Sequence, residues 1–215
     1  MKHIALKSTL VAAIVLLIAN LTIADNSIEV NASAAMEGNF GLEAISDGSA
    51  TNAFVQDDSP NAETTYRMSF MFDPNSMPMV VGGRHFIASA TADSSQGNKS
   101  CIEVLLRRTA SGYDIRVFTS VTASATNRKK TAPVPLSDEP HTIEIQWQES
   151  SGPGIEDGIV QIRVDGGAWV GRSDVRNWTQ TVKNAKLGFL ASSIDPGTIG
   201  SHYYDDFQSF RTLAP

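Results

Sequence analysis

This 215-residue chain has a single cysteine and no excess of positive charge. Its one cysteine, Cys101, cannot form an intrachain disulfide bond, a zinc ribbon or a dithiol redox pair. Lysine and arginine total 17 against 23 aspartate and glutamate residues, which gives a formal net charge of −6. An acidic chain of this kind is not expected to have nucleic acid or an anionic membrane surface as its main partner.

Long apolar runs are equally scarce, and the one that exists lies near the N-terminus. It extends over Leu10–Ile18 after a basic start, and a small residue, Ala24, follows it. This order is typical of a signal peptide, so residues 1–24 are predicted to be a helical leader that is cleaved during export to the periplasm or the medium. A second cleavage motif ends at Ala34. The alternative of an uncleaved anchor is disfavoured because a membrane span needs about 20 apolar residues.

The predicted mature chain is more acidic than the precursor and has no further membrane span. The leader contains two lysines and no acidic residue, so 15 basic and 23 acidic residues remain, a net charge of −8. No later stretch is apolar enough to cross a bilayer, so no stable membrane span is expected after cleavage. Residues 25–215 are therefore predicted to form a water-soluble exported body.

Helical periodicity is absent from residues 25–215, whereas alternation is frequent. Ile143, Ile145 and Trp147 fall on one face of a strand pattern, and several other segments alternate in the same way. Asp165-Gly166 is a strong hairpin signal. Many short alternating segments separated by turn residues predict a single all-β domain, an antiparallel sandwich or barrel. The polar segments 93–100, 123–135 and 150–158 are interpreted as the longest loops.

Three segments together carry a family resemblance. They are Gly38–Glu43, Val160–Gly166 and Tyr203–Arg211, and their order resembles that of the concanavalin A-like lectin/glucanase group, in particular the LamG-like jelly rolls. The resemblance covers nearly all of the predicted mature chain. It implies a two-sheet antiparallel jelly-roll sandwich in which the N- and C-terminal strands lie close together.

The hydrolytic site of this group is not found in the sequence. Its glucanases carry Glu-x-Asp-x-Glu on one strand, whereas the nearest segment here has Glu144 followed by Gln146, and Glu149 is out of phase. A glutamine cannot act as a base or nucleophile, so a non-enzyme is predicted. A lyase is harder to exclude on these grounds, because Tyr, His and Arg residues occur along the strands: Tyr66, Arg67, Arg116, His141 and His202.

The resemblance also implies a calcium site. In related sugar-binding jelly rolls an acidic pair in the last strand helps to hold Ca²⁺ near the N-terminal strand, and Ca²⁺ prefers carboxylate and carbonyl oxygens. Asp205, Glu37 and the backbone at Gly38 are the matching candidates. The alternative is that Asp205 caps backbone N–H groups or pairs with an arginine. No other cofactor is predicted.

Candidate ligand contacts come from aromatic and basic residues outside the predicted core. Sugar sites use aromatic faces and a few polar groups, which selects Trp169, Trp178, Phe118, Arg116 and Arg67. The two tryptophans could instead close the ends of the sandwich. The basic segment Arg128–Lys130 is interpreted as a solvated loop tip, with contact to a polyanion as the minor alternative.

The sequence therefore favours one main function and leaves two alternatives. The main prediction is an exported, non-catalytic module that binds a carbohydrate. The alternatives are a structural or adhesive protein without a small-ligand site, and a polysaccharide-degrading hydrolase or lyase with an unrecognised site. Ligand identity and oligomeric state are left open, because a fold of this kind hosts many functions.

Overall fold

The computed structural model describes residues 25–92, 100–121, 124–190, 194–195 and 198–214. The predicted leader and its cleavage after Ala24 lie outside these residues. All regular structure in the described part is β-strand, as predicted. None of the described residues belongs to a helix with the length and apolar character that a membrane crossing needs.

Fourteen strands form two antiparallel sheets. The first sheet has, in spatial order, β1 (Ser27–Asn31), β2 (Gly41–Asp47), β14 (Ile199–Phe210), β4 (Thr65–Asp73), β10 (His141–Gln148), β11 (Gly158–Val164) and β12 (Val170–Val175). The second sheet has β3 (Ala53–Asp57), β13 (Val182–Leu190), β5 (Arg84–Ala92), β6 (Ser100–Thr109), β7 (Gly112–Val121) and β8 (Ser124–Lys130), and β9 (Val134–Leu136) pairs with β7.

The first and last strands flank β2, as the resemblance implied. Ser27 of β1 pairs with Ile45, and Tyr204 of β14 pairs with Leu42 on the other side of the same strand. This arrangement brings the two ends of the described chain to one side of the sandwich. The predicted two-sheet antiparallel sandwich is therefore confirmed.

The core lies between the sheets and follows from the alternation in the sequence. Ile143, Ile145 and Trp147 on β10 are fully buried, and the Trp147 indole N–H donates a hydrogen bond to Thr119 of the opposite sheet at 3.2 Å. Cys101 is also fully buried, and burial raises the pKa of its thiol. The thiol is therefore a packing group, more deeply buried than the sequence suggested.

The hairpin between β11 and β12 confirms one turn prediction, whereas the segment after β7 corrects another. Asp165 and Gly166 both have positive φ, 52° and 66°, which is the type I′ geometry that the Asp-Gly pair predicts. The predicted loop 123–135 instead contains β8 and β9. Its basic residues predict a solvent-exposed loop. In the structure they lie on β8, an edge strand, where lysine and arginine are favoured because they discourage pairing with other chains.

Candidate functional site

The outer face of the second sheet is recessed. Lys186, Ser89, Glu103, Phe118 and Lys130 are cross-strand neighbours on β13, β5, β6, β7 and β8. Cross-strand neighbours share one side of a sheet, and here they alternate with core residues, so they point away from the core. Ser89 and Glu103 are nevertheless only 4% and 9% exposed. We call this surface the recessed face.

Cations outnumber carboxylates on the recessed face. The strand register places six basic side chains on its five strands: Arg84, Arg107, Arg116, Arg128, Lys130 and Lys186. The carboxylates placed there among the described residues are Glu103 and Asp114. A basic surface on a protein of net charge −6 is a local concentration of positive potential, which attracts anionic ligands.

Glu103 occupies the centre of this face. Its two carboxylate oxygens are held by Arg128, at 2.7 Å and 3.1 Å, and Ser100 donates a further hydrogen bond at 3.0 Å. Burial raises the pKa of Glu103 above its ordinary value, although Arg128 and Ser100 act in the opposite direction. The side chain also lines a cavity of about 240 Å³ that reaches Ser89, Lys186 and Phe54.

A second charged cluster lies further along β6 and β7. Asp114 accepts a hydrogen bond from the Arg107 Nε at 3.0 Å and lies 3.7 Å from a terminal nitrogen of Arg116. The Arg116 side chain is 14% exposed, and its buried Nε has no hydrogen-bond partner among the described residues. Arg116 is thus a partly exposed guanidinium on the recessed face, with one N–H group that no described residue pairs.

Aromatic rings border the charged groups. Phe86 and Phe118 meet edge to face with ring centres 6.1 Å apart, and the Arg128 guanidinium lies 6.0 Å from the Phe86 ring. On the other side of the cavity the Lys186 ammonium lies 4.3 Å above the Phe54 ring. Apolar rings next to cations suit a sugar that has both an apolar ring face and a carboxylate.

The structure divides the five predicted ligand residues between two opposite surfaces and a loop. Arg116 and Phe118 lie on the recessed face. Arg67 lies on the outer face of the first sheet over Phe210, at 4.0 Å, and Trp169, in the turn segment before β12, packs 4.5 Å from the Arg163 guanidinium of β11 in that sheet. Trp178, in the loop between β12 and β13, is 36% exposed. These five residues therefore do not form one site.

The tyrosine and histidine residues considered for a lyase do not reach the recessed face. Tyr66 and His202 are fully buried in the core. His141 bonds Asp165 at 2.6 Å and Ser137 at 2.8 Å, and its strand belongs to the first sheet. Glu103 and Lys186 are residues of the recessed face that the sequence does not single out, whereas Arg128 and Lys130 belong to the basic segment that it interprets mainly as a solvated loop tip.

The candidate calcium residues meet through hydrogen bonds. One oxygen of Asp205 accepts the backbone N–H groups of Met36, at 2.9 Å, and Glu37, at 2.8 Å, while the other accepts the N–H of Asp206. Burial raises the pKa of Asp205, but these backbone donors outweigh burial and hold the pKa below its ordinary value. No group of three or more His, Cys, Asp or Glu side chains among the described residues is placed to hold a metal. Calcium at Asp205, Glu37 and Gly38 stays a prediction, which loss of thermal stability in EDTA would support.

Replacing Asp205 by asparagine should destabilise the fold. The Asp205→Asn variant loses the charge of an acceptor that serves two backbone donors from a distant segment, and we expect a loss of about 1–3 kcal/mol in the free energy of unfolding at pH 7. Urea denaturation measures this loss. Asp206→Asn is the control, because the Asp206 carboxylate is exposed and accepts hydrogen bonds from the nearby Gln208 side chain instead of from a distant backbone segment. Equal effects of the two substitutions would contradict the prediction.

Comparisons with known proteins rest on structure. No family model and no curated protein matches the sequence. Among solved structures, an endo-β-1,4-glucuronan lyase from the fungus Trichoderma reesei has a TM-score of 0.64 at 14% identity, covering 87% of each chain. An alginate lyase from Pseudomonas aeruginosa has a TM-score of 0.55 at 10% identity, covering 79% of this chain and 82% of the other. A variant of the alginate lyase Aly36B in complex with an alginate tetrasaccharide has a TM-score of 0.57 at 10% identity and 83% coverage of both chains.

These comparisons correct the predicted function. The expectation of a non-catalytic module, and of a protein that is not an enzyme, is contradicted because the similar structures named above are polysaccharide lyases. The absence of paired carboxylates around Glu144 argues only against glucanase-type hydrolysis, and elimination does not require such a pair. The chain has the all-β, concanavalin A-like jelly-roll sandwich that these polysaccharide lyases also have.

Proposed function

We propose that the protein is an exported polysaccharide lyase that cleaves an acidic glycan on the recessed face of the second sheet. The observation that carries the proposal is the excess of basic over acidic side chains on that face of an otherwise acidic protein. The three structures named above act on glucuronan or alginate, both of which are polymers of uronic acids. A uronic-acid polymer supplies the negative charge that this face would attract.

The elimination reaction explains why cations are needed. A lyase removes the proton next to the carboxylate of a uronate, and negative charge develops on that carboxylate in the transition state. A guanidinium that donates hydrogen bonds to the carboxylate stabilises this charge. Arg116 is our candidate for this role because its side chain is 14% exposed on the recessed face and its guanidinium is not fully paired by the described residues.

The rings of the recessed face fit the remainder of such a substrate. Phe118, with Phe86 packed edge to face against it, offers apolar surface to a sugar ring, while Lys130 lies beside Phe118 to meet a carboxylate along the polymer. A glycan is therefore the proposed partner, and its repeated negative charge would match the row of cations across several strands.

Export is the other part of the proposal, and the N-terminal sequence supports it. The basic start, the apolar run Leu10–Ile18 and the small residue at Ala24 have the order of a secretory leader. Mass spectrometry of the protein recovered from the medium or the periplasm should give a chain that begins at Asp25. A chain that begins at Ala35 would indicate the second cleavage motif instead.

The activity can be tested directly with defined polymers. The protein is incubated with glucuronan, alginate and polygalacturonate, with cellulose as the uncharged control, and elimination is followed by the ultraviolet absorbance of the unsaturated uronate at the new chain end. We expect this product from at least one uronate polymer and none from cellulose. Absence of unsaturated product from every uronate polymer would overturn the proposal.

Arg116→Ala should lower kcat/KM on the active polymer by roughly 10- to 100-fold. The expectation follows because a hydrogen bond to a charged group contributes about 1.5–3 kcal/mol. Arg176→Ala is the control, since it removes the same charge from an exposed residue outside the recessed face. Equal kinetics for the two variants would show that Arg116 acts only through net charge.

A further inference from the structure

We infer that Glu103 is the group that takes the proton from the substrate and returns it to the leaving oxygen, so that the enzyme selects uronates whose H5 and O4 lie on the same side of the ring. D-glucuronate and D-mannuronate have this configuration, whereas L-guluronate and D-galacturonate have the opposite one. The inference rests on the proposed lyase function and adds the catalytic residue and the substrate class.

The placement of Glu103 carries the first step. The side chain lies in the middle strand of the five that form the recessed face, and it lines the cavity there together with Ser89 and Lys186. Arg128 approaches as a fork, with one guanidinium nitrogen on each carboxylate oxygen, and Ser100 fixes one of these oxygens. A carboxylate has about four acceptor positions. These contacts therefore orient the group and leave an acceptor position for a substrate proton.

The other titratable groups of the recessed face are less suited to the role. Asp114 is held between Arg107 and Arg116, and the Lys186 ammonium lies against the Phe54 ring. No histidine or tyrosine side chain projects from this face in the part of the chain that the structure describes. Glu103 is thus the carboxylate at the cavity.

The environment of Glu103 also increases its basicity. The charged groups that face or neighbour it are Arg128 and Lys130 on β8, Lys186 on β13 and Arg116 on β7. Burial nevertheless raises the pKa of Glu103, against the opposing effect of Arg128 and Ser100, and a carboxylate with a raised pKa is a stronger base.

The reaction balances without a further reactant. The C5–H bond breaks as its proton moves to the Glu103 carboxylate, and the electron pair is delocalised into the neighbouring substrate carboxylate. This pair then forms the C4=C5 double bond as the C4–O4 bond breaks with its electrons on O4, and protonated Glu103 gives the same proton to O4. The Glu103 carboxylate is regenerated, and the two products are a chain with a new hydroxyl-bearing end and a chain that begins with an unsaturated uronate.

The stereochemical consequence follows from the use of one group. A single carboxylate can reach both H5 and O4 only when they lie on the same side of the sugar ring. D-glucuronate and D-mannuronate meet this condition. With L-guluronate and D-galacturonate, H5 and O4 lie on opposite sides of the ring, so a second group would have to protonate O4 after the first had removed H5.

The experiment compares four homopolymers and three variants. Wild type is expected to release unsaturated product from glucuronan and polymannuronate at least ten times faster than from polyguluronate and polygalacturonate. Glu103→Gln should lower kcat by roughly 10²- to 10⁴-fold with KM nearly unchanged, because a general base contributes about that much. Glu103→Asp should retain part of kcat. Glu29→Gln, an exposed carboxylate on β1, should keep wild-type rates.

The outcomes separate the inference from the proposed function. No unsaturated product from wild type on any polymer would overturn both. Two results with an active wild type would overturn the inference but not the proposed lyase function. One is a Glu103→Gln variant that keeps its kcat, and the other is a wild-type preference for polyguluronate or polygalacturonate. The acid limb of the wild-type pH profile should lie above the pKa of an ordinary glutamate. An acid limb at or below the ordinary value would count against Glu103.

Discussion

Acidification from pH 6.5 to pH 5 is expected to remove up to about 2 kcal/mol of folding free energy for each of two buried histidines. His85 of β5 and His202 of β14 are fully buried, and their Nε2 atoms lie 2.6 Å apart across the interface between the two sheets. Burial lowers the pKa of His202 to about 3 and lowers that of His85 well below its ordinary value. Both imidazoles are therefore neutral in the folded protein.

The hydrogen bonds around the pair explain why neither ring accepts another proton. His202 Nδ1 lies 3.3 Å from the Pro74 carbonyl oxygen and must donate to it, so His202 Nε2 accepts from the Nε2–H of His85. A proton added to His202 would face this N–H, and a proton added to His85 Nδ1 would have no acceptor among the described residues, since none of them pairs with that buried atom. The rings of Phe72 and Phe189 fill the surroundings, and only Asp138 raises the pKa of His202 through its charge.

The direction of the pH effect follows from these lowered pKa values. The unfolded chain protonates its histidines near pH 6.5, whereas the folded chain does not. The stability contributed by the pair is therefore fully present above pH 6.5 and is lost as the pH falls toward about 3. Ordinary carboxylates are still largely ionised at pH 5, so the loss between pH 6.5 and 5 reports mainly on histidine.

Urea denaturation at several pH values measures this loss. The double variant His85→Leu with His202→Leu has a different absolute stability, but its free energy of unfolding should change much less between pH 6.5 and 5 than that of wild type. An unchanged pH dependence in the double variant would show that other groups cause the acid sensitivity. The pair joins the two sheets, so acid unfolding is expected to separate them.

The fold could be predicted from the sequence because alternation is a local signal. The faces of β10 and β11 and the Asp165-Gly166 turn follow from period-two patterns and turn chemistry alone. The error at residues 128–130 has a physical basis. Three consecutive basic residues do not alternate in polarity, and only the tertiary structure shows that they form an edge strand beside β7.

The recessed face could be predicted only in part. Arg116 and Phe118 were selected by residue type, and alternation in β6 places Glu103 on the side opposite Val104. Nothing local indicates that Glu103 is buried on an outward face, since this depends on the Arg128 side chain from β8, 25 residues away along the chain. Arg67 and Trp169 have suitable chemistry as well, but Arg67 belongs to a strand of the other sheet and Trp169 packs against Arg163 of that sheet.

Gly188→Ala is expected to destabilise the protein by more than about 3 kcal/mol, among the largest effects of a single methyl group in this fold. Gly188 lies on β13, opposite Phe54, with φ at +130°. A Cβ at this position would lie 2.2 Å from the Ala53 carbonyl oxygen and 2.9 Å from the Phe54 Cα, so strand β3 would have to move away. Since β3 is an edge strand, part of it can detach, and its Phe54 borders the cavity beside Glu103.

Two other glycines separate the backbone strain from the steric clash. Gly166→Ala introduces a residue at positive φ, +66°, with no atom within 4 Å of the new Cβ, so it should cost only about 1 kcal/mol. Gly152→Ala has open space and no positive φ, and it should be neutral or slightly stabilising. Urea denaturation should therefore give Gly188→Ala a much lower free energy of unfolding than the other two variants. If Gly188→Ala and Gly166→Ala cost the same, the close approach of β3 to β13 contributes nothing. If Gly188→Ala is the least stable of the three variants and also loses lyase activity, the pairing of β3 with β13 contributes to the cavity at Glu103, because Phe54 of β3 lines that cavity.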